Sequence, residues 1–414
     1  MSARSAPSML RWACLSIGCL FLPFAASAGG VGRVPVEKAA VEVLPVHTGK
    51  DWFWVWGNHA PSQVDGRALL FDGEGRNLGQ LNTGFWPNNL IPSKKRSELY
   101  SVETYFSRGL RGQRTDVVTV YDARKLSPLR EIPIPPRRIN ALGSTGLSVV
   151  SDDERFLLVL NYTPAQSISV VDLAAERFVT EIETPGCASI YPAGARDFYS
   201  ICGDGSFLHL RLDDSGKPVL RQRTARMFDP VRDFLTTAAS RSGPIWYFVS
   251  LQNNVYALQM TAAGVRQAGT WSLTSAKERK DDWRISGVQH TAVHRESGRL
   301  FVLMHQGDPD TQQEPGTEVW VYDVKTQSRI ERIKLEELSI AIGVSQGARP
   351  RLYSVDFFWP MPTVAKLWVY LTKGEDELMK SVQQCITVYD AGDGEFLRRI
   401  DGLPSGYLSV VEPW

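Results

Sequence analysis

A short β-type run that closes on Asp, or on a residue in its place, recurs seven times along this chain. No other feature constrains the fold as much. The copies end at Asp72, Asp122, Asp172, Asp213, Gln259, Asp323 and Asp390, as in Val118-Thr119-Val120-Tyr121-Asp122 and Val319-Trp320-Val321-Tyr322-Asp323. Successive closing residues lie 50, 50, 41, 46, 64 and 67 positions apart. Such a period is too long for a hairpin alone and suits a four-stranded antiparallel sheet. Return strands such as Phe178-Val179-Thr180-Glu181-Ile182 follow several copies, and an Asp at the strand end caps the turn through its side chain. Seven units of four strands predict an all-β chain, a seven-bladed β-propeller of four-stranded antiparallel blades, in which ring closure leaves only short edges. On this reading residues 29–414 are a single domain, although 414 residues would otherwise suggest two or three.

The first 28 residues read as a secretory signal rather than as part of the fold. Arg4 and Arg11 supply a positive segment, Trp12 to Phe24 is apolar, and Ala26-Ser27-Ala28 matches a small-x-small cleavage pattern. The apolar run is too short to span a bilayer, and the expected location is the periplasm. Cys14 and Cys19 leave with that segment, so Cys187, Cys202 and Cys385 remain. Cys187 and Cys202 flank the turn-bearing segment Tyr191-Pro192-Ala193-Gly194, and an oxidising compartment would close a disulfide between them. Two unpaired buried thiols are the alternative. Cys385 opens a β-run and reads as an inert buried thiol.

One stretch is not repeated: Gly84 to Asp122, with an aromatic-Pro-Asn turn, a Tyr-rich strand and an Arg-studded loop. A unique insertion between repeated units is a candidate site. In Gly84-Phe85-Trp86-Pro87-Asn88, Phe85 and Trp86 read either as a core turn or as an aromatic wall at the propeller mouth. In Arg108-Gly109-Leu110-Arg111-Gly112-Gln113-Arg114-Thr115-Asp116, the arginines are either a solvated loop, with Arg114 paired to Asp116, or forks that grip a partner chain. Two further regions leave the period. Residues 274–287 are charged and helix-tolerant, and read as a surface excursion. Residues 356–384 hold the aromatic-proline stretch Phe357-Phe358-Trp359-Pro360-Met361-Pro362, which either packs on its own blade or contacts a partner.

No catalytic set stands out, since Gly-x-Ser-x-Gly, a P-loop and a dinucleotide fingerprint are all missing. His290 and His294 alternate with apolar residues as in a strand, which spaces them roughly 13 Å apart, too far to share one metal. No metal is expected. Charge is balanced, 46 Lys and Arg against 45 Asp and Glu, which argues against a nucleic-acid binder.

At these residues the chain resembles the heavy (large) subunit of methylamine and aromatic-amine dehydrogenases. The likeness is carried by Gly84-Phe85-Trp86-Pro87-Asn88, by Phe106-Ser107-Arg108 with Arg111 to Asp116, and by Val170-Val171-Asp172-Leu173. The Cys187/Cys202 pair with Asp204-Gly205-Ser206, Asp282-Trp283-Arg284 and Val344-Ser345-Gln346 extend it over most of the chain. The resemblance implies a periplasmic quinoprotein of two heavy and two light chains. In it the light chain carries tryptophan tryptophylquinone and the catalytic base. Primary amines become aldehyde and ammonia, and a cupredoxin such as amicyanin or azurin accepts the electrons. It further implies a substrate-channel role for Phe85, beside Trp86, with no catalytic residue and no cofactor in this chain; if the arginines grip a partner, Arg108, Arg111 and Arg114 would form the light-chain interface. The alternative is a stand-alone periplasmic propeller that binds a ligand or hydrolyses a lactone. Trp86 in place of a smaller residue, and the long segment from Phe357 to Gln384, depart from the family pattern.

Overall fold

Antiparallel strands account for nearly all regular structure. Middle strands such as Phe156–Asn161 and Ser167–Asp172 are buried at every position, because neighbouring sheets cover both faces, whereas outermost strands such as Pro218–Arg223 are largely exposed. The computed structural model describes residues 42–46, 51–58, 65–85, 90–140, 144–403 and 407–413. The expected signal segment and Trp86 lie outside these residues. Val43–Trp414 forms one compact unit.

The first blade pairs Phe53–Asn58, Gly66–Phe71 and Asn77–Asn82 with the C-terminal strand Tyr407–Pro413, so the two ends of the chain close the ring in one sheet. The second holds Leu90–Pro92, Glu98–Arg108, Arg111–Asp122 and Ser127–Ile134. The third holds Ser148–Val150, Phe156–Asn161, Ser167–Asp172 and Arg177–Glu183. Cys187–Pro192, Asp197–Cys202, Phe207–Leu212 and Pro218–Arg223 form the fourth. Ser240–Ser242, Ile245–Val249, Asn254–Thr261 and Gly264–Ser272 form the fifth.

The expectation of seven separate four-stranded blades is corrected here. Five four-stranded blades form, and the remaining strands make one eight-stranded sheet. The cause is Ser328–Val344, a 17-residue strand. Its first half pairs with Gly316–Asp323 and its second half with Arg351–Phe358. No Gly or Pro interrupts Ser328 to Ile342, so nothing turns the chain between a return strand and the next inner strand.

First strands line the axis. Val149, Tyr191, Arg241, Thr291, Val344 and Glu412 meet around a central cavity of about 250 Å³. Between neighbouring sheets lie apolar clusters, such as Phe53 and Val55 against Tyr353 and Val355, and Trp54 and Leu70 against Leu99 and Tyr121. Gln289 ties the ring shut. Its amide donates to the carbonyls of Ile342 (3.0 Å) and Val411 (2.8 Å) and accepts from the Val411 amide.

The two ends of the propeller differ. On one end, tight turns follow the third strands, capped by the recurrent Asp. Asp122 Oδ1 accepts from the amides of Arg124 (2.8 Å) and Lys125 (2.9 Å), and Asp323 Oδ1 from those of Lys325 and Thr326 (both 2.8 Å). The amides of Lys125 and Arg124 hold the Asp122 carboxyl below the usual range. On the other end lie the connections from second to third strands and from each fourth strand to the next blade. This end carries the long excursions: the Gly84-Phe85 turn, the tip at Gly109-Leu110, α1 (Ala276–Lys280), and α2 (Thr363–Lys373) with α3 (Glu375–Met379). Ser275 and Glu278 form a capping box on α1, which accounts for the helix within the charged excursion. No helix among the described residues is long and apolar enough to cross a membrane.

Candidate functional site

The candidate site is built on the second blade, where the two middle strands outrun their neighbours. Glu98–Arg108 and Arg111–Asp122 pair as far as Arg108↔Arg111, whereas the flanking strands stop at Leu90↔Ser101 and Asp116↔Ile134. Residues 105–115 therefore stand free of the sheet as a two-stranded projection. The sequence suggested an Arg-studded loop here. Pairing of Tyr105 with Thr115 and of Phe106 with Arg114 continues the two strands instead, and Gly109 at φ +70° makes the turn.

The Gly84-Phe85 turn packs against the base of this projection. A side chain at position 84 would meet the Thr104 carbonyl at 2.8 Å, and the backbone sits at φ +77°, so only glycine fits. The Phe85 amide donates to the Thr104 carbonyl (2.8 Å), and the Phe85 carbonyl accepts from Arg138 Nη2 (2.8 Å). Pinned on both sides, the half-buried Phe85 ring meets Phe106 edge-on, with centroids 5.3 Å apart. Such a pair contributes about 0.5–1.5 kcal/mol beyond its buried area. Phe85, Tyr105 and Phe106, with Asp65, Asn82 and Gly84, line an open pocket of about 350 Å³.

Beneath the pocket lies a polar cluster that the sequence did not reveal. Arg138 is 5% exposed. Its Nε donates to Thr104 Oγ1 (2.7 Å), and Thr104 in turn donates to Asp116 Oδ1 (2.7 Å). Burial pushes the guanidinium down to about 10, still fully charged at neutral pH. Arg114 grips Asp116 with Nε (2.9 Å) and Nη2 (2.7 Å) and donates to the Arg138 carbonyl (2.7 Å). On the opposite face of the same two strands, buried Glu103 accepts from the hydroxyls of Tyr105 (2.6 Å), Thr119 (2.7 Å) and Tyr121 (2.8 Å). Burial raises its carboxyl above the usual range despite these donors.

The sequence-derived candidates thus separate. Phe85 reaches the pocket wall. Arg114 is committed to a buried carboxylate of its own chain. Arg108 and Arg111 stand exposed at the projection and form no ion pair among the described residues. Cys187 and Cys202 face each other on neighbouring strands of the fourth blade and are joined as a disulfide, and Cys385 is buried and free. His290 bonds Thr236 and His294 bonds Ser297, so each ring has its own local partner. Arg138 follows Pro135-Pro136-Arg137 in a linker, where no spacing marks it as buried.

The sequence profile of the methylamine dehydrogenase heavy chain (MADH) matches residues 58–385, a span that contains the pocket, the projection and the disulfide. The chain belongs to the methylamine dehydrogenase heavy chain family. The heavy chain of Paracoccus versutus is 30% identical over 343 residues, covering 82% of this chain and 74% of that one. That of Methylorubrum extorquens is 28% identical over 290 residues, 69% and 70% of the two chains. Solved structures similar in fold include a functionally unknown protein from Desulfotomaculum acetoxidans, with TM-score 0.55, 10% identity and 88% and 98% coverage of the two chains. Another is the dihydro-heme d1 dehydrogenase NirN, with TM-score 0.51, 16% identity and 91% and 77% coverage. At such identities these two speak to the fold alone. Within the heavy-chain family, the Phe85 turn and the projection are the features to be explained functionally.

Proposed function

We propose that this chain is the large subunit of a periplasmic quinoprotein amine dehydrogenase, assembled as two heavy and two light chains. The observation that carries the reading is the rigidly pinned Phe85 at the wall of an open pocket, in a chain of the heavy-chain family. Tryptophan tryptophylquinone, held by the light chain, supplies two-electron oxidation of a primary amine to aldehyde and ammonia. This chain's part is to bind and shape. Phe85 and Phe106, with Trp86 adjoining in sequence, wall the approach to the partner's centre and exclude water from it. Tyr105, its hydroxyl fixed on Glu103, sets the width of the pocket. Electrons pass onward to a cupredoxin of the amicyanin or azurin kind. The small-x-small pattern at Ala26-Ser27-Ala28 supports export.

Phe85→Ala removes the ring and leaves both backbone anchors in place. The expected result is a changed preference between short and bulky amines, read as a roughly tenfold or larger change in the ratio of kcat/KM values, with the complex intact. A missing wall of this size alters transition-state binding by about 1–3 kcal/mol. Equal kinetic constants for both amines in mutant and native enzyme would remove Phe85 from the channel.

Arg108 and Arg111 are proposed as light-chain contacts, with Arg114 acting through Asp116 to hold the base of the projection. Reversing both exposed charges, Arg108→Glu with Arg111→Glu, is expected to slow light-chain association about tenfold at low salt and less at high salt. Association kinetics that do not change at either ionic strength would return the two arginines to the solvated surface.

A further inference from the structure

The helix α2, Thr363–Lys373, is built with an apolar face that its own chain does not cover. Val364, Leu367, Trp368 and Leu371 follow the i, i+3, i+4, i+7 spacing of a buried helical stripe. Yet they are 80%, 57%, 57% and 71% exposed, and no residue of α2 is buried. An 11-residue helix is marginal in water, and helices of this length owe most of their stability to the packing of such a stripe. The stem below is fixed, since Trp359 Nε1 donates to the Leu378 carbonyl (3.1 Å) and Lys366 lies over the Trp359 ring. The helix is thus held in place while its apolar side is left open.

The topology says where that side is. The segment joins a second strand, Arg351–Phe358, to a third, Gln383–Asp390, and the tip at Gly109-Leu110 makes the same connection in the second blade. In antiparallel sheets these connections emerge at the same end of the propeller, the end that also carries Phe85. Large apolar side chains are exposed at this end at Tyr105, Leu110, Tyr162, Val231 and Phe234 as well. Tyr370 and Met379, on α2 and α3, are exposed at this end too, and apart from Val43 and Val46 the remaining exposed large apolar side chains among the described residues lie on outermost strands.

We propose that α2 is a docking element for the light chain, extending over this end of the propeller the interface begun at the 105–115 projection. The proposal rests on the functional reading above. Only the first blade separates the sheet that bears α2 from the blade that bears the projection, as the clusters joining Phe53 to Tyr353 and Trp54 to Tyr121 establish. Packed sheets lie about 10 Å apart, so the two features are roughly 20 Å apart. A small domain is about 30 Å across. A light chain of that width, seated between the Phe85 pocket and α2, covers both. A lipid surface fits less well, because residues 363–380 carry three lysines and three acidic residues and so no net positive charge to attract anionic headgroups.

The test compares the native complex with the variant Leu367→Ser/Trp368→Ser/Leu371→Ser, and with Trp368→Ala alone as a milder change. All three side chains are exposed, so the heavy chain's own thermal midpoint serves as a control and is expected not to move. Light-chain affinity is expected to fall roughly a hundredfold for the triple variant and tenfold for Trp368→Ala. Amides of 363–373 are expected to be protected from hydrogen exchange in the complex and open in the separated heavy chain. A light chain held equally by native and triple-variant proteins overturns this proposal alone. Absence of a light chain from the native preparation overturns the functional reading and the proposal with it. Heavy-chain self-association lost in the variant while light-chain binding persists assigns the helix to a second copy and also overturns it. So does flotation with phosphatidylglycerol vesicles that requires the same three side chains.

Discussion

Arg138→Ala is expected to destabilise the protein by about 3 kcal/mol and to loosen the Phe85 wall of the pocket. Removing one member of a buried charge cluster costs about 3–5 kcal/mol, because its partners stay buried without it. Here the low end applies. Asp116 keeps the bidentate grip of Arg114 and the Thr104 hydroxyl, so its charge is still answered. What is orphaned is the Phe85 carbonyl, together with the donor to Thr104 Oγ1. Arg138→Lys restores charge but offers one ammonium where the guanidinium reaches Thr104, Ile139 and Phe85, and is expected to recover stability only in part. The midpoint of urea unfolding reads the first effect. A role for Arg138 in positioning Phe85 predicts in addition that Arg138→Lys shifts the preference among amines in the same direction as Phe85→Ala. A variant with lower stability and native amine preference would make Arg138 merely structural.

Loss of the disulfide is expected to cost a similar amount. Closing a 15-residue separation between Cys187 and Cys202 stabilises by about 3 kcal/mol, mainly by restricting the unfolded chain. Both sulfurs lie in the apolar cluster of the third and fourth blades, beside Phe198, Leu208 and Leu210. Cys187→Ala/Cys202→Ala therefore reports the cross-link with little else. Cys187→Ser/Cys202→Ser is expected to be worse, since two hydroxyls would be buried among aliphatic side chains at about 1–3 kcal/mol each when unpaired. Urea unfolding of the two variants and of the reduced native protein distinguishes these terms. Equal stability of native and alanine forms would mean that the bridge constrains little.

What the sequence revealed, and what it hid, follows from the range of the forces involved. The Asp-closed turns were readable because the capping carboxylate and the amides it binds are two or three residues apart. The facing cysteines were readable for a related reason, since a single turn brings them together. Gly84 announced a turn because its backbone admits no side chain. Sheet boundaries were not local in this sense. Counting Asp turns gave seven units, but Ser328–Val344 carries one strand through two of them, and five separate blades result. Arg138 was invisible for the opposite reason. Nothing within ten residues explains burying it, and Asp116, Thr104 and Phe85 come to it from 22, 34 and 53 positions away. The 105–115 segment, rich in Arg and Gly, looked like a loop because sheet extension depends on pairing with a partner strand. In α2 the helical stripe is present in the residues, but Pro360 and Pro362 before it drew attention to an irregular loop.

The central claim is that this chain works as one subunit of an amine-oxidising complex. Purification of the native assembly from the periplasm, with its visible spectrum and the masses of its chains, tests this most directly. The account predicts a small second chain in equal number, and a quinone absorbance that bleaches when a primary amine is added. A chain that emerges alone and colourless, with no amine-dependent spectral change, would contradict it.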